Sequence, residues 1–169
     1  EALNKIVAEF NTDSGYMAIT PSIKINNPRN ILELIQKVEY GWGVMLRHLM
    51  ASLGAVYVTP GPFSMFKIEV FKKLGGYNKA HNTEDMELAV RMQKAGMRIG
   101  NAYEAFIYTT APRNFKALFK QRLRWTYGFL MNAIDNKDIY FNPKYGNLGL
   151  IVFPTATLSI FSSIFLLFS

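Results

Sequence analysis

The sequence predicts an α/β fold in which a long basic helix leads toward a segment able to span a bilayer. Three observations carry that expectation. Stretches with apolar residues at helical spacing alternate with short β-branched or aromatic runs, the pattern of a mixed α/β layer. Of 169 residues, 50% are hydrophobic and 14% aromatic, enough apolar matter for a core at this length. After Lys144 no charged residue occurs, and residues 148–169 (LGLIVFPTATLSIFSSIFLLFS) supply the roughly 20 apolar positions that cross a hydrocarbon core.

Each element follows from local pattern. Leu3, Ile6, Val7 and Phe10 form one stripe of a helix over residues 2–10, broken by Asn11 to Gly15. Residues 17–25 read as a strand. Asn30 and Glu33 give a capping pattern at the head of a helix over 30–53, with Gly41 and Gly43 as candidate bend points. Residues 55–59 and 63–66 are expected to form two short strands around Pro60-Gly61-Pro62. A short helix, 68–74, stops at Gly75-Gly76. Thr83 is expected to cap a helix over 84–95, whose acidic first turn suits the positive end of its dipole and whose stop is Gly96. Residues 98–99 and 104–109 read as strands, and Pro112 precedes a helix over 114–134. No internal repeat is present.

Charge and composition narrow the class of function. Nineteen Lys and Arg against 12 Asp and Glu give a net charge of +7, which favours an anionic partner: phospholipid headgroups, a phosphorylated substrate or nucleic acid. The absence of zinc-ligand spacing and of any nucleic-acid-binding module argues against the last. With no Cys there is no disulfide framework and no thiolate site, and two His leave no histidine-rich metal site. Glu1 is not an initiator methionine, and residues 1–10 contain neither a basic nor an apolar leader region, so the start reads as internal and the end, at residue 169, as a truncation.

Two clusters are candidates for chemistry. Thr83-Glu84-Asp85 stands at a helix start, where Asp85 is able to accept a proton from a hydroxyl within hydrogen-bond reach. First-turn acidic residues also serve simply to stabilise the dipole. Gln121, Arg124 and Trp125 fall at i, i+3 and i+4 and share one helix face. An amide, a guanidinium and an indole there suit a ligand with phosphate and sugar; an interfacial helix with Trp as membrane anchor fits the same residues. Lys116, Lys120 and Arg124 repeat every four residues with no acid among them, and an anion would offset their repulsion. The loop of Pro60, Gly61, Pro62, Phe63 and Ser64 offers backbone amides and little bulk. His48 and His81 are single histidines without an evident partner.

Taken in order, Gly61-Pro62-Phe63-Ser64-Met65-Phe66-Lys67, Gly75-Gly76-Tyr77, Thr83-Glu84-Asp85, Gly96, Pro112 and Gln121-Arg122-Leu123-Arg124-Trp125 resemble the inverting family 2 glycosyltransferases. The closest likeness is to processive members such as cellulose, chitin, hyaluronan and poly-N-acetylglucosamine synthases, and it covers nearly the whole chain. The resemblance implies the C-terminal part of a GT-A fold over residues 1–112, an amphipathic interfacial helix over 113–137 and a transmembrane helix over 148–169. It implies Asp85 as general base, Glu84 as part of the same motif, Trp125 as a floor for the acceptor sugar, Gln121 and Arg124 on the donor diphosphate, and Gly61 in the acceptor-side loop.

The partners so implied are a nucleotide-diphospho-sugar donor, a polysaccharide acceptor and a lipid bilayer, in an integral membrane protein whose catalytic part faces the cytoplasm. A divalent cation, Mg or Mn, is expected in the intact enzyme, yet the Asp-x-Asp that holds it in the family occurs nowhere in this sequence. The 169 residues alone are therefore expected to be inactive. Lys67 stands where many relatives carry Arg, keeping the charge and losing the planar fork. Other readings are a non-processive family 2 transferase acting on a lipid or small acceptor, and a non-catalytic membrane-surface scaffold.

Overall fold

A computed structural model describes residues 1–79 and 81–168, with side chains described through residue 162. In chain order the regular elements are α1 (Ala2–Thr12), β1 (Tyr16–Ile25), α2 (Ile31–Ser52), β2 (Met65–Phe66), α3 (Ile68–Leu74), α4 (Glu84–Lys94), β3 (Arg98–Thr109), α5 (Phe115–Asp135) and α6 (Phe153–Phe168). β1 is the middle strand of a three-stranded sheet, antiparallel to β2 and parallel to β3. This is the α/β architecture expected.

Neighbouring residues of β1 face opposite layers. Ile19 packs with Ile6 of α1 and with Ala102 and Ala105 of β3. Ala18 packs on the other side with Leu88, Ala89 and Met92 of α4. Leu88 and Met92 are 0% exposed, and each stabilises the fold by about 1.5–3 kcal/mol through its removal from water. A third cluster joins Met86 and Val90 of α4 to Phe129 and Ala133 of α5 and to Leu148, Val152 and Phe153. α4 is thus clamped between the sheet and α5.

Several expectations change in form. The two strands at 98–99 and 104–109 are one strand, β3, running through Gly100 and Asn101. A Cβ at Gly100 would lie 2.7 Å from Ile19 Cδ1, so this position needs glycine for close packing. Asn101 is buried, and its amide donates to Thr20 O at 3.0 Å and to Thr20 Oγ1 at 3.2 Å. Pro21, which cannot donate to a ladder, sits where the β1–β3 register shifts.

Residues 55–59 are not a strand. Their backbone groups bond to α4 instead: Val56 O accepts from Gln93 Nε2 at 3.0 Å, and Thr59 donates through its amide and its hydroxyl to Asp85 O. Of 63–66 only Met65–Phe66 pairs, and Phe63 turns away with φ +64°.

The expected cap at Asn30 forms, accepting from the Glu33 amide at 2.8 Å, and Glu33 accepts in turn from the Arg29 amide. Asn114 caps α5 in the same way through the Ala117 amide. Thr83 is the N-cap residue of α4 without a side-chain cap bond, and its hydroxyl accepts from Asn132 Nδ2 of α5 at 3.0 Å.

The expected bilayer span over 148–169 takes a different form in the described residues, outside which residue 169 lies. A π-helical turn, Leu148–Val152, opens it, and Leu148, Val152 and Phe153 are buried in the protein core. α6 then runs over Phe153–Phe168. Among the described residues no helix is long and apolar enough to cross a membrane.

Candidate active site

A cleft of about 740 Å³ opens where α2, the loop at 56–62, the start of α4 and α5 meet, a size suited to a small ligand. Gly61, Glu84, Asp85, Arg124 and Trp125 all line it, so five of the six candidate residues converge from three separate stretches of chain. Gln121 is not among the lining residues. It is half-buried, and its Oε1 has no hydrogen-bond partner among the described residues.

Asp85 is half-buried in the first turn of α4. Its Oδ1 accepts from the Met86 amide at 2.9 Å, leaving further lone pairs toward the cleft. Burial pushes the carboxyl above the usual aspartate range, an effect that the Met86 amide opposes and the neighbouring Glu84 charge reinforces; Arg124 pulls it back down. A carboxylate so placed is a better proton acceptor than one in water. Thr59, bonded to Asp85 O, ties the loop carrying Gly61 to the same turn. At Gly61 a Cβ would meet nothing within 4 Å, so the loop leaves open space on the cleft side.

The turn before Asp85 is held by α5. His81 and Asn82 both adopt positive φ, +50° and +62°, an uncommon conformation for residues with side chains. His81 Nε2 lies 3.0 Å from Asp135 Oδ2, and Arg124 donates to Asn82 O at 3.4 Å. Gly128 is buried against Thr83, and a Cβ there would collide with the Thr83 side chain. The helix bearing Arg124 and Trp125 can therefore approach the acidic turn only because residue 128 has no side chain.

Trp125 is half-buried. The Arg122 guanidinium lies 4.7 Å from its ring centroid and also bonds Glu39 Oε2 of α2 at 2.6 Å. Arg122 thus fixes the indole and closes α5 onto α2. Among the described residues Lys116, Lys120 and Arg124 have no carboxylate partner within ion-pair distance, so the row of cations read from the sequence remains uncompensated.

Lys67 does not line the cleft and donates to Ser14 O at 2.7 Å. The Gly75-Gly76 stop of α3 is pinned to α4 by Arg91, which donates to Leu74 O and Gly76 O while paired with Glu87. Among the described residues no three His, Asp or Glu side chains gather to hold a metal. Of the carboxylates lining the cleft, Glu39 is bonded to Arg122 and Asp85 to the Met86 amide, so the described residues do not fit the divalent cation implied by the resemblance.

Sequence reasoning did not pick out four residues that build this site. Gly128 and Asn132 lie three and seven positions beyond Trp125 on α5; Arg47 and Tyr57 stand in the cleft wall. Only Gly128 had a visible signal, a glycine inside the helix expected over 114–134.

The family model described as Glycosyl transferase family group 2 matches residues 1–169, and the chain belongs to this family of sugar-transferring enzymes. Among curated proteins it is similar to the poly-beta-1,6-N-acetyl-D-glucosamine synthase of Staphylococcus aureus (strain COL), 28% identical over 124 residues. It is 26% identical over the same length to the synthase of that name from Staphylococcus epidermidis. Each match covers 73% of this chain and 30% of the relative, so the chain spans about a third of the length of those proteins.

Proposed function

We propose that the protein transfers a sugar, with inversion, from a nucleotide-diphosphate donor to the end of a growing polysaccharide at a membrane. The observation that carries this reading is the half-buried Asp85 facing the same cleft as Arg124 and Trp125. In the proposed step Asp85 accepts the proton of the acceptor hydroxyl as that oxygen bonds the anomeric carbon. The bond from that carbon to the diphosphate breaks from the opposite side, and the nucleoside diphosphate leaves with the electron pair. Arg124, aided by the cationic row behind it, offsets the growing negative charge. The Trp125 ring carries the apolar face of the acceptor.

The polysaccharide acceptor is supported by the named activity of the relatives, which also makes N-acetylglucosamine the first sugar to assay. Membrane association, with the catalytic part on the cytoplasmic side, is supported by two features. Phe115, Phe119 and Leu123 are exposed beside Lys116 and Lys120 on α5, and the chain after Lys144 is free of charge.

The test is incubation of the full-length protein with UDP-N-acetylglucosamine and analysis of the product. A polymer with anomeric configuration opposite to that of the donor is expected. Retained configuration, or no incorporation of any nucleotide-activated sugar, would contradict the proposal, and the 169 residues alone should give no product.

A further inference from the structure

The cleft contains a cation that the transfer step above does not use. Arg47, on α2, lines its wall together with Tyr40 and Tyr57. Among the described residues it has no hydrogen bond or ion pair, whereas the nearby Arg122 is committed to Glu39 and to the Trp125 ring. Arg47 is half-buried, and burial lowers its pKa, an effect that Tyr57, Tyr40 and Asp85 oppose. An unpaired guanidinium in such surroundings carries a desolvation penalty that a ligand's oxygen atoms can offset.

The surroundings say which ligand. Leu46, Met50, Phe129 and Ile160 line the cleft with Arg47, and Tyr57 is held edge-on by Phe129 and Phe153 at 5.9 and 5.8 Å between centroids. A diphosphate on this apolar wall would lose its hydration for a single cation. The exposed Arg124, with Lys116 and Lys120 on the same helix, offers it a wetter site. A neutral pyranose fits Arg47 better, since its C–H faces pack on apolar and aromatic groups while its oxygens accept the N–H donors.

We infer that Arg47, with Tyr57, is an acceptor-positioning residue that hydrogen-bonds oxygens of the acceptor's terminal sugar and turns its attacking hydroxyl toward Asp85. This inference rests on the transfer reaction proposed above.

The test uses the full-length protein with a β-1,6-linked N-acetylglucosamine tetrasaccharide as primer and UDP-N-acetylglucosamine as donor. Arg47→Met should raise the primer KM at least tenfold and leave the donor KM, and donor hydrolysis to water without primer, within twofold. Arg47→Lys should recover part of the primer affinity. An unchanged primer KM, or a donor KM that rises in parallel, overturns the assignment. If Arg47→Met loses donor hydrolysis as well, as a misfolded protein would, Tyr57→Phe is decisive: it keeps the ring packing, and a primer KM raised at least threefold supports the assignment whereas an unchanged one overturns it. Full activity in Asp85→Asn would instead defeat the underlying transfer reading, whatever the primer KM shows.

Discussion

At the scale of single residues, Asp85 shows a conflict between stability and chemistry. Its folded-state pKa is raised by burial, so the folded protein holds the proton more tightly than the unfolded chain does. Stability therefore falls as pH climbs from the ordinary aspartate value, about 3.9, through the raised one, and the full penalty applies above both. Asp85→Asn, which keeps an oxygen for the Met86 amide, is expected to raise the melting temperature at pH 7, with the gain shrinking toward zero below pH ~3.9. Calorimetry across pH checks this, and a lower melting temperature at neutral pH would contradict it. Asp85 was legible in the sequence because it stands in a motif at a helix start. Arg47 was not, because nothing in the spacing of a single arginine within an amphipathic helix shows whether it meets a carboxylate, water or a cleft.

At the scale of elements, the contact between α5 and the acidic turn decides the geometry. On helix propensity alone, Gly128→Ala would stabilise α5 by about 1 kcal/mol. The Thr83 side chain occupies the space the methyl needs, so we expect the substitution to cost about 1–3 kcal/mol. A lowered denaturation midpoint with unchanged m-value is the predicted result, and the opposite sign would show that the helix packs otherwise. Helices α1 to α5 were read from the sequence to within two residues at each end, since their caps and apolar stripes are local signals. The extended segments were read less well. Whether residues 55–59 pair in a sheet depends on α4, whose Gln93 and Asp85 take up their backbone groups, and this is tertiary information. β3 looked like two pieces because Gly and Asn are poor strand residues; both are retained here for a packing reason visible only across the sheet.

At the scale of the whole molecule, α4 is the keystone. It packs on the sheet through Leu88 and Met92, on α5 through Met86 and Val90, and presents Asp85 at its exposed end. Arg122 and Glu39 close the other side of the cleft, joining α5 to α2. The ordered motifs announced the family and placed Gly61, Glu84, Asp85, Arg124 and Trp125 at one cleft. They misjudged the start of the apolar C-terminal stretch, where Leu148, Val152 and Phe153 are core residues, because hydropathy alone does not distinguish lipid from protein interior. The central claim is that the protein is a transferase whose base is Asp85. The most direct test compares polymer formed from radiolabelled UDP-N-acetylglucosamine by full-length wild type, Asp85→Asn and Asp85→Glu. Loss of at least a hundredfold in Asp85→Asn, with the protein folded and still binding donor, is predicted from the usual contribution of a general base; synthesis at the wild-type rate would contradict it.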